Sequence, residues 1–228
     1  QSEKILTLTQ TNQDDWVLIQ SGNLNGWTIL FTGVEKVAPS QLLTDQRFNK
    51  YGLTGCLNFY NSKFQNTIIE VVGGVCEDSI NIVKSIGKID HLTVREAAAD
   101  AIDIDFSNLN IRNINVDSAG NDCLDVSGGF YTIETFLGND CGDKGISVGE
   151  MSELTVDKAE VTRALLGVSS KDLSNVEIKD ARFSEVINCF EAVQKKQEFG
   201  GGSITLSQLN CEGDSFMDDQ SYSSVKIK

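Results

Sequence analysis

Proline occurs once in these 228 residues, at Pro39, and histidine once, at His91. So little proline suits a fold in which most backbone N–H groups donate to a neighbouring strand. A single histidine, and no CxxC pair among Cys56, Cys76, Cys123, Cys141, Cys189 and Cys211, speak against a zinc site. Bases are scarce too: 19 Lys and Arg against 33 Asp and Glu leave a net charge of −14. That balance argues against nucleic acid and anionic membranes as partners, since both need basic patches. A strongly anionic polysaccharide would need a divalent cation between it and this surface. The chain has no apolar run long enough for a membrane-spanning helix. Aromatics are only 7% of the residues, and Trp16, Trp27 and Tyr131 are scattered rather than grouped as a sugar-stacking platform.

What is present is a period of 22 residues. Stepping by 22 from Asp122 reaches Asp78, Asp100, Lys144, Leu166, Asn188 and Asn210. Two places on, Ile80, Ile102, Leu124, Ile146, Val168 and Phe190 form an apolar column, and Ile82, Ile104, Val126, Val148, Ser170 and Ala192 another. The column between them is polar: Asn81, Asp103, Asp125, Ser147, Ser169 and Glu191. Each repeat therefore holds a short strand that alternates inside and outside. The second half of the repeat is strand-like as well, with Ile89, Ile111 and Ile133 in one column and Leu92, Ile114 and Phe136 in another. Val156 with Ile178, and Val161 with Phe183, continue the spacing. Corners rich in Gly, Asn, Asp and Ser separate the strands. The leucine spacing of leucine-rich repeats is missing, and no helical apolar pattern bounded by caps is found. Strands with small polar corners at this period predict an all-β fold, a right-handed parallel β-helix of about 22 residues per coil, with one core built by stacking.

The organisation follows. Residues 56–228 are expected to form the β-helix. Residues 1–55 are expected to form an opening coil, with Trp16, Leu18, Leu24, Trp27, Ile29 and Phe31, and an irregular loop or lateral cover over 35–52. At the other end, Ser224–Lys228 alternates like a strand, which predicts that the chain is cut from a longer one or that another molecule caps it. Cys123, Cys189 and Cys211 fall in one column, so Cys189 and Cys211 should be neighbours, either bonded or as stacked free thiols in a column of small residues. His91 should face outward.

The sharpest chemical signal is a run of aspartates at 100, 103, 105, 122, 125, 140 and 143. In the 22-residue register Asp100 stacks on Asp122 and Asp103 on Asp125, with Lys144 one coil beyond Asp122. Carboxylates so close repel unless one is protonated or a cation intervenes. Four readings are open: a general acid–base site, a calcium site, an ion-pair ladder, or side chains that merely shape corners. The candidate catalytic residues are Asp100, Asp122, Asp125 and Lys144. Asp103 and Lys171 are candidate substrate contacts, and Asp103 with Asp125 the candidate calcium ligands. No other cofactor is called for.

The segments DAIDID (100–105), GNDCLDVSGG (120–129), DKGISVGE (143–150) and LGVSSK (166–171) resemble, in order and spacing, the pectin-lyase-like superfamily, above all its polygalacturonase-type glycosidases. The resemblance spans roughly residues 78–193 and implies the same parallel β-helix. It matches Asp100 and Asp122 to two acids of that family. Asn121, however, stands where the proton-donating acid belongs, Lys144 where a histidine belongs, and Ser169 where an arginine belongs, leaving Lys171. An amide cannot protonate a leaving group, so inverting hydrolysis is not expected. The run QKKQEFGGG (194–202) also faintly resembles β-helix regions of bacterial surface proteins, which implies no activity.

The expectation is therefore a secreted or cell-surface module that binds polysaccharide or another surface protein without turnover. A lyase, epimerase or atypical glycosidase working through the stacked Asp and Lys is one alternative. A protomer that stacks end to end through open strand edges is another.

Overall fold

A computed structural model describes residues 4–34, 48–217 and 223–228. The described residues contain strands and no helix: all are linked in one parallel sheet. Most of the loop expected at 35–52, with Pro39, Gln41, Asp45 and Arg47, lies outside the described residues.

The chain winds as a parallel β-solenoid, and two strand stacks run along it. One stack is made of short strands: β2 (Val17–Gln20), β5 (Gly55–Tyr60), β7 (Asp78–Val83), β9 (Asp100–Asp105), β11 (Leu124–Ser127) and β13 (Lys144–Gly149). The other joins β1 (Lys4–Thr9), β3 (Asn23–Asn25), β4 (Trp27–Thr32), β6 (Lys63–Val72), β8 (Ile86–Ala97), β10 (Asn108–Ala119) and β12 (Phe130–Cys141). Strands β14 (Glu153–Lys171) and β15 (Asn175–Val193) run through both stacks. β16 (Ser203–Cys211), β17 (Asp214–Met217) and β18 (Ser224–Ile227) end the described chain.

The register is the expected one through most of the chain. Ile80, Ile102, Leu124, Ile146, Val168 and Phe190 pair in sequence, and all are buried. Each residue thus covers its neighbour from water, which no single coil could do alone. The last coil departs from the expectation. Asn175 pairs with Ser203 and Asn188 with Asp214, so Asn210 is not the next member of the Asp78 column. The offset is 203 − 175 = 28 residues, six more than the period, because the segment 194–202 inserts between β15 and β16. Asn210 instead pairs with Arg182, in the other stack.

Corners need positive φ, and here non-glycine residues supply it. Glu96, Ser118, Asp140, Arg163 and Glu185 have φ between 54 and 69°, one per coil. A second corner recurs at Lys84, Phe106 and Gly128. Behind that corner lies a column of buried serines, Ser62, Ser85, Ser107, Ser152 and Ser174. The amide of Ser62 donates to Ser85 Oγ, that of Ser85 to Ser107 Oγ, and that of Ser152 to Ser174 Oγ. Where the column reaches Gly129, the buried Tyr131 hydroxyl accepts the Ser107 amide and donates to Ser127 O, so the polar column stays satisfied.

All six cysteines are bonded: Cys56–Cys76, Cys123–Cys141 and Cys189–Cys211. Cys189 and Cys211 are neighbours, 6.1 Å apart at Cα, but not as members of one column. Cys211 pairs in register with Phe183, so this bond crosses from one stack to the other. His91 is exposed, as expected, with its Nδ1 3.4 Å from the Asn113 side-chain amide.

Candidate functional site

The aspartates divide into two rows on the short-strand side. The first row lies at the starts of β7 and β9 and two residues before β11, where Asp78, Asp100 and Asp122 are all buried. Asp100 Oδ1 accepts the backbone amide of Asp122 at 2.8 Å and the side-chain amide of Asn121 at 2.6 Å. Asp122 Oδ1 accepts the Lys144 amide at 3.0 Å, and the Lys144 ammonium lies 3.4 Å away. Lys144 also pairs with Asp143. Asp78 Oδ2 has no hydrogen-bond partner. Burial raises the pKa of Asp122 to about 6 against the pull of Lys144, and it raises Asp100 and, by more, Asp78. Burial penalises the Lys144 charge, but Asp122 and Asp143 outweigh it and hold that pKa above the usual lysine value.

The second row sits at the outward positions of the same strands. Asn81 pairs with Asp103, Asp103 with Asp125, Asp125 with Ser147, and Ser147 with Ser169. Asp103 and Asp125 are half-buried, as is Asp105 two places along β9. The Asn81 amide nitrogen bridges Asp103 Oδ2 at 3.0 Å and Asp105 Oδ2 at 3.4 Å. That one donor serves two carboxylates. Burial, then the charges of Asp78, Asp105 and Asp125, push Asp103 well above the ordinary carboxylate range. Burial raises Asp105 to about 6, with the Asn81 hydrogen bond opposing.

Further along the row the chemistry changes. Lys171 is buried and donates to Ser147 Oγ at 2.7 Å, reaching back past Gly149. Ser169 donates to Glu191 at 2.9 Å. The insertion 194–202 is anchored beside this row, because Asp172 Oδ1 accepts the amides of Lys195 and Lys196 at 2.7 and 2.8 Å. The Lys196 ammonium then pairs with Glu150.

Beside the acids runs a feature the aromatic count does not reveal. Ile86, Phe106, Phe130, Met151 and Leu173 are each 48–65% exposed and lie at the corner between the two stacks. The sequence signal is their spacing, 20, 24, 21 and 22 residues, one large apolar side chain in each of five successive coils. Phe106 rests over Gly128, where an added Cβ would come within 2.5 Å of the ring.

The candidate residues therefore fall into separate places. Asp100, Asp122 and Lys144 form the strand-start ladder; Asp103 and Asp125, joined by Asp105, form the outer acidic row; Lys171 is buried at its far end. Among the described residues no group of three or more His, Cys, Asp or Glu side chains is arranged to hold a metal ion. No protein-family model, no curated protein and no solved structure matches this chain.

Proposed function

We propose that this chain is a non-catalytic β-solenoid module, secreted or on a cell surface, that presents a rigid binding face to polysaccharide or to another surface protein. The observation that carries this reading is the fate of the strand-start ladder. Asp100 and Asp122 spend their carboxylates on backbone amides of the next coil, Asn121 donates to Asp100, and Lys144 is held by two acids. Groups so committed brace adjacent coils, each acid through its Oδ1, and Asn121 stands where a leaving group would need a proton donor. Three disulfides are compatible with an oxidising, extracellular setting. The motif order fits a right-handed pectin-lyase-like scaffold that has kept its coils and lost its hydrolytic chemistry.

The test is a screen on neutral and uronic-acid polysaccharides, with and without calcium, reading new reducing ends, unsaturated ends and binding in parallel. Retention without product is the expected result, and turnover by the wild type that Asp122→Asn abolishes would overturn it. One observation favours a catalytic alternative: Asp105, half-buried and raised to about 6, could exchange protons near neutrality. Turnover lost in Asp105→Asn alone, with calcium raising both rate and Tm, would establish that alternative.

A further inference from the structure

The apolar corner and the acidic row next to it point to the chemistry of the partner. Ile86 and Phe130 share a column with Asn108 between them, and Phe106 stands in the adjoining column of Lys84 and Gly128, so the five side chains form a staggered row, one per coil. A solvated corner has no need of five large apolar side chains in five consecutive coils, and exposed apolar surface so grouped marks an interaction site. At about 4.8 Å per coil, the four steps from Ile86 to Leu173 make a ridge roughly 19 Å long. Its flank over the central coils is acidic, with Asp103, Asp105 and Asp125 on the short strands, Glu150 at the corner and Glu153 beyond it. Beside this flank Lys144 pairs with Asp122 and Asp143, Lys196 with Glu150, and Lys171 is buried on Ser147, while Asp103, Asp105 and Asp125 have no ion-pair partner among the described residues. Lys84, at the start of the ridge, lies over the Tyr60 ring.

We propose that this ridge is the docking surface for a basic amphipathic segment of a partner protein. The segment would lay an apolar stripe along Phe106, Phe130 and Met151 and set Lys or Arg against the acidic row. The inference rests on the reading of the chain as a non-catalytic binding module, and it names the partner's chemistry. Charge complementarity selects this occupant. A second copy of the chain would set one acidic row against another, within a molecule of net charge −14. A ridge of this length matches roughly 13 residues of helix at 1.5 Å per residue.

The probe is a fluorescent synthetic amphipathic Lys/Leu peptide of helical period, read by anisotropy against a Lys/Ser peptide of equal charge and length. The Lys/Leu peptide should bind, and the Lys/Ser peptide should bind at least about tenfold more weakly. Phe106→Ser with Phe130→Ser should cost about tenfold, with the thermal melt confirming an intact fold, and Asp105→Asn should remove part of the salt dependence. Equal binding of the two peptides would overturn the proposal by reducing the effect to net charge. So would unchanged binding in the double Ser variant, or a dimer in solution that the same variant dissociates. Binding of a neutral oligosaccharide, lost with the Phe changes and not competed by the peptide, would overturn this inference while leaving the binding-module reading in place. A wild type that turns over polysaccharide would overturn that reading instead.

Discussion

The two sides of the solenoid obey one register and use charge in opposite ways. On the long-strand side, most acids have a base one coil away, although Glu134 and Asp157 are neighbours. Arg112 lies between Asp90 and Glu134, Arg163 between Asp140 and Glu185, Lys179 faces Asp157, and Arg182 faces Glu160. On the short-strand side, like charges are stacked: Asp78 on Asp100, and Asp103 on Asp125. Parallel stacking brings each residue against the one a coil further on, 22 or 23 residues away through most of the chain, on both sides, so the sign pattern belongs to the sequence and not to the fold. The long-strand pattern relieves repulsion. The short-strand pattern keeps it.

The largest effect that would break this comparison comes from Lys144, the cation joined to the buried ladder among the described residues. Lys144→Ala removes the charge beside Asp122, and its loss should cost about 3 kcal/mol, because a buried carboxylate is left without its counter-charge. Urea denaturation would show it as a lower midpoint with an unchanged slope. If stability is unaltered, the backbone amide of Lys144 alone satisfies Asp122.

A smaller effect should appear with pH. Asp105 and Asp122 ionise near 6 in the folded chain against an ordinary 3.8. Between those values the folded state holds more protons than the unfolded, so stability falls as pH rises from about 4 to about 6. Asp15, lowered chiefly by the Thr11 hydroxyl, and Asp140, lowered chiefly by Arg163, work the other way only below that window. Calorimetry should therefore give a Tm a few degrees higher near pH 5 than near pH 7.5. The double change Asp103→Asn with Asp125→Asn should raise the neutral-pH Tm and flatten that slope. A Tm that is highest at neutral pH in the wild type would mean that the acids are solvated in solution.

The smallest effect belongs to the long-strand side. Arg112 is 43% exposed and approaches Asp90 Oδ1 at 3.3 Å without a hydrogen bond to that oxygen. Arg112→Ala should cost less than about 1 kcal/mol in the same denaturation series, and less still at high salt. A loss as large as that of Lys144→Ala would erase the distinction between the two sides.

Much of this architecture can be read from the sequence by itself. The period, the alternating columns from Ile80 to Phe190 and the pairing of Asp103 with Asp125 are local in sequence space, because each contact joins residues one repeat apart. Tertiary structure decided the contacts that do not run down a column. Cys56–Cys76 and Cys123–Cys141 close single coils, over separations of 20 and 18 residues that no repeat arithmetic selects. The insertion 194–202 shifts the last coil by six residues and sends Cys211 to the register of Phe183. Which of two neighbouring aspartates faces a backbone amide and which faces outward depends on where the coil turns into the strand: Asp100 and Asp122 lie at that turn within reach of the next coil's N–H, and Asp103 and Asp125 do not. The ridge from Ile86 to Leu173 is a property of the corner, where side chains leave the core because the backbone turns away from it. A repeat fixes which residues are neighbours; only the path of the coil fixes which of them meet water.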